Sequence, residues 1–421
     1  MEKEKISKLG MFLYNYAEPF KHSKAFPYLW GGETIAYLGN CVMNIVLPSV
    51  VYSISGSAGT MGLVMAVYML MYVVMLPVSG GLVDRYDRLR LMMGADLVRF
   101  LITALGAVLI LTHHLTLPIL LILISFYGLM NGLFQPAYAA MRAVVFVPEI
   151  RNQANALTQA SEQTVRLIGP SLGGILIVAL SPGWGFGFNA MTYLISFIFL
   201  FKLRRAKSSL IKRPKEKNAA TGWKEDFMTG IHILRKDPWL WITILVFAVI
   251  NIFYSGVTSI LLPWLFNVHF HFPPTAYGAA VTCSGVGAIL GGLVFGSRKH
   301  WRKRGIMAYG GVLLSGVALL AMAFVSSPYG LVALFALEGF GLMIFGLIWE
   351  TSLQELVPPE SFGRVASLEM LGSFALLPLG YLLVGKLADV INGVNAMMLF
   401  SAIGIVIVLA ALALPGIRQF D

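Results

Sequence analysis

Twelve runs of mostly apolar residues follow one another along this chain of 421 residues, separated by short polar connections. They fall near 28–52, 60–83, 91–112, 117–141, 154–180, 185–203, 239–266, 275–297, 306–326, 329–352, 362–387 and 394–415. A helix crosses the hydrocarbon core of a bilayer with roughly 20 apolar residues. In lipid every backbone polar group must be bonded within its own segment, so each run is predicted to be an α-helix. The chain is 57% hydrophobic and 12% charged, whereas soluble domains hold about 45–50% apolar and about 25% charged residues. A water-facing globule cannot bury that much apolar surface. The first run is too long for a signal-peptide core and no small-residue cleavage site follows it, so it reads as a retained helix. The fifth and eleventh runs are more polar than the rest and are expected to face protein or water.

The connections set the topology. "SISGSAG", "HHLTLP", "SPGWG", "NVHFHFPPT" and "SSPYG" contain no Lys or Arg, and the alternate connections are basic. All of the 31 basic residues but Arg99, Arg166 and Lys386 belong to the tails and basic connections or to the run ends that adjoin them. The positive-inside rule then places the basic loops and both termini in the cytoplasm, which requires an even number of crossings. The net charge of +11 is spread over these loops and does not form one basic face, which argues against nucleic acid as a partner. The longest hydrophilic stretch, "KLRRAKSSLIKRPKEKNAATGWKEDF", lies at the chain midpoint, and the residues after it look like a surface amphipathic helix. "GGLV" occurs at Gly80–Val83 and at Gly291–Val294, while "VPE" at Val147–Glu149 is answered by "VPPE" at Val357–Glu360. Two echoes at nearly one offset, half the chain length, indicate duplication. The expected organisation is a cytoplasmic tail over 1–27, a six-helix bundle over 28–203, a basic linker with an amphipathic helix over 204–238, a second six-helix bundle over 239–415 and a tail over 416–421. Duplicated halves suit a carrier, because a site between them opens when one half rocks against the other.

"SGGLVDRYDRLRLMMGADLVRF", residues 79–100, concentrates charge between two apolar runs. It resembles the loop between the second and third helices of major facilitator superfamily transporters, Gly-x-Leu-x-Asp-Arg-x-Gly-Arg. Here that loop reads Gly80, Gly81, Leu82, Val83, Asp84, Arg85, Tyr86, Asp87, Arg88, with Asp87 in place of the glycine. "DRYDR" followed by "MMGADL", and "LQELVPPESFGRVASL" at 353–368, are similar to the branch that holds macrolide-efflux proteins and some siderophore exporters. The resemblance implies an all-α membrane protein of twelve transmembrane helices in two pseudo-symmetric halves. It also implies a cytoplasmic gate made by Gly80, Gly81, Asp84, Arg85, Arg88 and Asp96. The glycines allow a neighbouring helix to approach. Asp84 sits near the positive N-terminal end of a cytoplasmic helix, the eleventh, and Arg85 and Arg88 bridge to acids such as Asp96. Asp96 and Arg99, spaced i, i+3, read as latch partners.

"VRLIGPSLGG", Val165–Gly174, is similar to the Gly-x-x-x-Gly-Pro-x-x-Gly-Gly motif of proton-coupled drug exporters, with Gly169, Pro170, Gly173 and Gly174 matching. Pro170 removes a backbone donor and the small residues permit close packing and hinge-like bending. Members of the family often carry Arg in the fourth helix ahead of an "FQPA" region and link it to proton coupling. Tyr127 stands there in this chain.

Ionisable residues inside spanning helices are costly and are functional candidates by default. Glu33, Glu162, Arg166, Glu338 and Glu369 are the expected proton-coupling and cavity residues; Glu350 lies near the inner mouth. Glu162 and Arg166 are spaced i, i+4 and are expected to pair. An acid held by a base is a poorer proton carrier than one left alone in a dry pocket, which favours Glu338 or Glu369 as the proton site. Tyr37, Tyr68, Tyr127, Phe134, Phe253, Tyr254 and Trp349 are candidates for an amphipathic cavity wall.

No HExxH, paired CxxC or nucleophile elbow is present, and Cys41 and Cys283 lie in separate apolar runs. "GYLLVGKL", 380–387, mimics a phosphate loop but ends in Leu387 and follows no strand. His269 and His271 flank Phe270 without forming a metal set. The chain is therefore not expected to be an enzyme or to carry a cofactor or metal; a proton gradient would drive it. The reading is a multi-pass carrier of a bacterial plasma membrane, a monomer in the lipid bilayer. It would export an amphipathic cationic small molecule, such as a macrolide, in exchange for protons by alternating access. The alternatives are export of a native metabolite such as a siderophore, where Arg166 would contact an anionic cargo, and a non-transporting sensor or lipid-handling scaffold.

Overall fold

The computed structural model describes residues 18–147, 149–206, 223–296, 302–357 and 362–421, all of them helix, turn or coil. Most of the N-terminal tail, residues 207–222 of the linker and the side chain of Asp84 lie outside the described residues. In the first half the helices are α1 (Phe26–Ser55), α2 (Ala58–Arg85), α3 (Arg88–Leu111), α4 (Leu117–Val145), α5 (Arg151–Ala179) and α6 (Pro182–Ala206). The short α7 (Trp223–Lys236) then leads into α8 (Pro238–His269). The remaining helices are α9 (Pro274–Gly296), α10 (Arg304–Met322), α11 (Pro328–Leu356), α12 (Phe362–Phe374), α13 (Leu377–Ile391), α14 (Gly393–Leu412) and α15 (Pro415–Arg418). Counting α12 and α13 as one pass interrupted by a turn, there are twelve passes among the described residues.

Eleven of these helices are long and apolar enough to cross a membrane. The twelfth is α5. Its 29 residues reach about 43 Å at 1.5 Å per residue, but its first four turns, "RNQANALTQASEQTVR", are polar. The helix boundaries follow local chemistry. Gly56, at φ 64°, ends α1 in the left-handed region, and the hydroxyl of Ser57 caps α2 by accepting from the Thr60 amide at 3.1 Å. Asp87, which stands where the family loop has glycine, caps α3 by accepting from the Leu89 and Arg90 amides at 2.9 and 3.1 Å. Asp237 caps α8 and Asn392 caps α14 in the same way. In α8, π-helical turns at Val257–Leu261 and Leu265–His269 flank Pro263. Such local adjustments re-satisfy backbone groups that a proline frees within a membrane helix.

Within the first half α1 packs on α5 and α6, α3 on α4 and α6, and α2 on α4. Within the second, α11 packs on α9 and α10, α10 on α14, and α8 on α12, α13 and α14. The halves meet mainly along two pairs, α2 with α13 and α5 with α9. The closest of these contacts lie toward the ends that carry the loops without Lys or Arg. Tyr52 Oη donates to the Ile260 carbonyl at 2.6 Å, Ser171 and Thr282 share a hydroxyl bond at 2.8 Å, and Thr282 Oγ1 donates to the Leu167 carbonyl at 2.9 Å. At Gly62 a Cβ would stand 2.4 Å from the Tyr381 carbonyl oxygen, so a side chain is excluded. At the other end of α2, a Cβ on Gly80 or Gly81 would meet nothing within 4 Å. Among the described residues the halves are thus joined at the Lys/Arg-poor end, while at the end that carries the charged loop Gly80 and Gly81 have no close neighbour.

Gly62→Val is expected to cost about 1–3 kcal/mol by overpacking against backbone that cannot yield, seen as a lowered Tm in detergent. Gly80→Val, which meets open space, should leave Tm unchanged.

Candidate functional site

Between the halves lies a cavity of about 700 Å³. The first half gives it Tyr37, Tyr68, Tyr72 and Tyr127, the methionines Met43, Met61, Met65 and Met69, and the amides Asn40, Asn44, Asn131 and Gln135. The second half gives Thr258, Ser259, Tyr277, Ser284, Phe335, Glu338 and Phe374 among others. Methionine and aromatic side chains make an adaptable apolar wall, and the amides and hydroxyls offer hydrogen bonds without charge. Among the described lining residues one is an acid or a base, Glu338.

Glu338 projects from α11 toward α9 and is 7% exposed. Ser284 Oγ donates to its Oε2 at 2.9 Å. The two helices approach this closely because Gly339 follows Glu338: a Cβ at 339 would stand 2.0 Å from the Ser284 carbonyl oxygen. No basic residue faces Glu338 among the described ion pairs. Of the aromatic candidates, Tyr37, Tyr68 and Tyr127 line the cavity; Phe253 stacks on Phe400, and Trp349 stacks on Phe345 within the second half.

A second polar cluster lies behind the cavity wall in the first half. Asp96 and Arg99 of α3 are buried, at 0% and 1% exposure, and form an ion pair. Arg99 Nη1 donates to Asn131 Oδ1 at 3.0 Å, and Ser196 Oγ donates to Asp96 Oδ2 at 2.7 Å. The guanidinium lies 4.0 Å from the Phe134 ring centroid and 4.5 Å from that of Tyr193. Tyr127 Oη and Tyr193 Oη lie 2.7 Å apart, and each donates to Asn40 Oδ1, at 2.9 and 2.5 Å. In this structure Asp96 is engaged by Arg99 and Ser196, and not by Arg85 or Arg88, the gate partners that the resemblance implies. The i, i+3 face of α3 points inward between α4 and α6, where Arg99 supplies the counter-charge that keeps a buried carboxylate ionised. Arg88 instead donates to the Ala140 carbonyl at 3.2 Å, and Arg85 is exposed. The cluster also answers the absent fourth-helix arginine: the cation beside the "FQPA" region comes from α3. The signal for it was in the sequence, as Arg99 is one of three basic residues that the tails, the basic connections and their adjoining run ends do not account for.

The other candidates are dispersed. Glu33 on α1 is half-buried, and its Oε2 is buried with no hydrogen-bond partner. Glu162 and Arg166 do not form the expected pair. Arg166 Nε donates to Tyr37 Oη, and its guanidinium lies 5.8 Å from that ring's centroid; α1 offers it both a hydroxyl and a π face. Glu369 is half-buried beside the Trp349 indole, its hydrogen-bond partner, and Glu350, outside the cavity lining. Gly169, Pro170, Gly173 and Gly174 lie on a continuous α5. They form a surface packed on both sides: Gly169 against Cys41 and Gly173 against Val42 of α1, Gly174 against Pro274 and Thr275, and Pro170 against Gly278 of α9.

A bundle of membrane-crossing helices whose two halves meet near one end and enclose a cavity between them defines a membrane carrier. The Major Facilitator Superfamily pattern matches residues 29–370 and, in a second match, 248–419, and the chain belongs to that superfamily of transporters. It is 23% identical over 396 residues to macrolide efflux protein A of Streptococcus pyogenes, covering 93% of this chain and 95% of that one. It is 25% identical over 391 residues to the multidrug efflux pump Tap of Mycolicibacterium fortuitum, covering 91% and 94%. Among solved structures, a bacterial homologue of the iron transporter ferroportin, in an inward-facing state, superposes with a TM-score of 0.71 at 17% identity, covering 93% of this chain and 99% of that one.

Arg99→Ala should destabilise the first half by about 3–5 kcal/mol, because it leaves Asp96 buried and uncompensated. The double change Asp96→Leu with Arg99→Met should cost less than the two single changes summed. Thermal unfolding of the four variants in detergent measures this coupling.

Proposed function

We propose that this transporter exports amphipathic, cationic compounds, macrolides or other drugs, across a bacterial plasma membrane in exchange for protons by alternating access. The observation that carries this reading is the cavity lining: a wall of tyrosine, phenylalanine and methionine with, among the described residues, one carboxyl, that of Glu338, and no basic side chain. A lipophilic body suits the wall and a cationic group suits the carboxylate. The same carboxyl is suited to exchange a proton for the cargo, because it holds one neutral hydroxyl partner, Ser284, and no base. Proton and cation then compete for one site, which is the physical requirement of an antiporter. The names of the macrolide and multidrug efflux relatives support the substrate class. The excess of Lys and Arg in alternate loops supports an orientation with the charged loop in the cytoplasm, so that the described state is open inward. Of the two acids favoured from sequence, Glu338 is preferred, since Glu369 lies outside the lining and is engaged by Trp349.

A second reading, export of an anionic native metabolite, is favoured by Arg166, whose guanidinium rests on the cavity residue Tyr37 and, among the described ion pairs, is not paired with Glu162.

In proteoliposomes, a pH gradient should drive uptake of a cationic macrolide by the wild type. Glu338→Gln keeps the side-chain volume and an acceptor for Ser284. It should retain Tm, lose proton-driven transport, and bind the macrolide about tenfold more weakly, equivalent to about 1.4 kcal/mol. Unchanged transport by Glu338→Gln would overturn this assignment. Loss of transport on Arg166→Gln alone, with an anionic cargo, would establish the second reading.

A further inference from the structure

We propose that Asp389 is a latch on the Lys/Arg-poor face: its carboxylate ties α13 of the second half to the N-terminus of α2 in the first and holds that face shut. This rests on the alternating-access reading above.

Asp389 Oδ2 accepts from Ser57 Oγ at 2.6 Å and from the Gly59 amide at 3.0 Å. The first amides of a helix have no partner within it and carry the positive end of its dipole. A carboxylate placed there makes charge-assisted bonds. Here the carboxylate comes from a helix 330 residues away in sequence, across the boundary between the halves. Ser57 does double duty, accepting from the Thr60 amide at 3.1 Å while donating to Asp389. Gly59 is the complementary feature: a Cβ there would stand 2.3 Å from Asp389 Oδ2, so any side chain displaces the carboxylate. One turn on, the backbones themselves touch, with Ala58 O only 2.7 Å from where a Cβ on Gly385 would lie.

The site is exposed, unlike the buried Asp96–Arg99 pair. Water replaces its bonds when they break, so the latch contributes a modest bias that a rocking motion can overcome. Opening this face must separate Ala58–Gly62 from Tyr381–Asp389, and both Asp389 bonds break in that step. Asp84, at the opposite end of α2, is the acid that the superfamily motif assigns to closing the other face; Asp389 is no part of that motif.

The test uses the full chain in nanodiscs, with Cys41 and Cys283 changed to Ala and spin labels at Val78 of α2 and Leu371 of α12. Both positions are exposed, and their separation reports opening at the charged-loop face. Distances are measured with and without tetraphenylphosphonium as the cationic probe. Asp389→Asn and Asp389→Ala are expected to lower the ratio of long to short distance by about 3–10-fold. Gly59→Ala should give the same shift with the charge retained. Ser57→Ala should add little to Asp389→Asn, since both remove one junction. Where an Asp389 variant does not fold, Gly59→Ala carries the test. Two wild-type populations that none of these variants moves would overturn the latch alone. A single wild-type distance, insensitive to the probe and accompanied by no transport, would overturn the alternating-access reading and the latch with it.

Discussion

A peptide N–H or C=O left without a partner in hydrocarbon costs several kcal/mol, and a bare charge costs more. Helix formation removes the first cost throughout this chain. The second is met differently at each ionisable side chain, and those differences divide the polar interior into parts with distinct uses. Asp96 and Arg99 neutralise each other and spend their remaining valences on Ser196, Asn131 and two aromatic faces. Such a pair is a fixed part of the first half, and it touches the cavity lining through Asn131, Thr103 and the Tyr127–Tyr193 contact. Glu338 has a hydroxyl and open cavity in place of a base. It is the acid whose environment leaves room for a partner that arrives from outside.

The junction between the halves follows from the same constraint. With no hydrophobic gain from pressing one apolar helix against another in lipid, close approach of backbones and a few polar bonds must hold the halves together. Both seams are built that way. On α5 and α9 the small residues at 169, 173, 174 and 278 bring main chains into contact, and Ser171 and Thr282 add hydroxyl bonds. On α2 and α13, Gly62 and Gly385 play the same part beside Asp389. α5 packs in this way on α1 of its own half and on α9 of the other, so movement of one half reaches the other through a shared surface. Pro170 lies in the middle of that surface, and α5 stays one continuous helix through it.

The amino-acid sequence by itself determined the helical membrane fold. Run length and apolarity fix which segments cross, and the basic residues mark alternate connections, because both properties are local and the bilayer acts on each segment separately. It also marked α5 as the polar pass and Glu338 as an intramembrane acid. Side-chain partnership was decided only by the tertiary structure. Spacing puts Asp96 near the charged loop and Arg166 within reach of Glu162, yet Asp96 turns to Ser196 a hundred residues on, and Arg166 to Tyr37 on another helix. Asp389 reads in sequence as an ordinary polar residue at a helix end, and its role comes from α2, brought beside it by the meeting of the halves. Helical periodicity specifies which face a residue occupies, but the identity of the helix opposite that face depends on how all the helices pack at once.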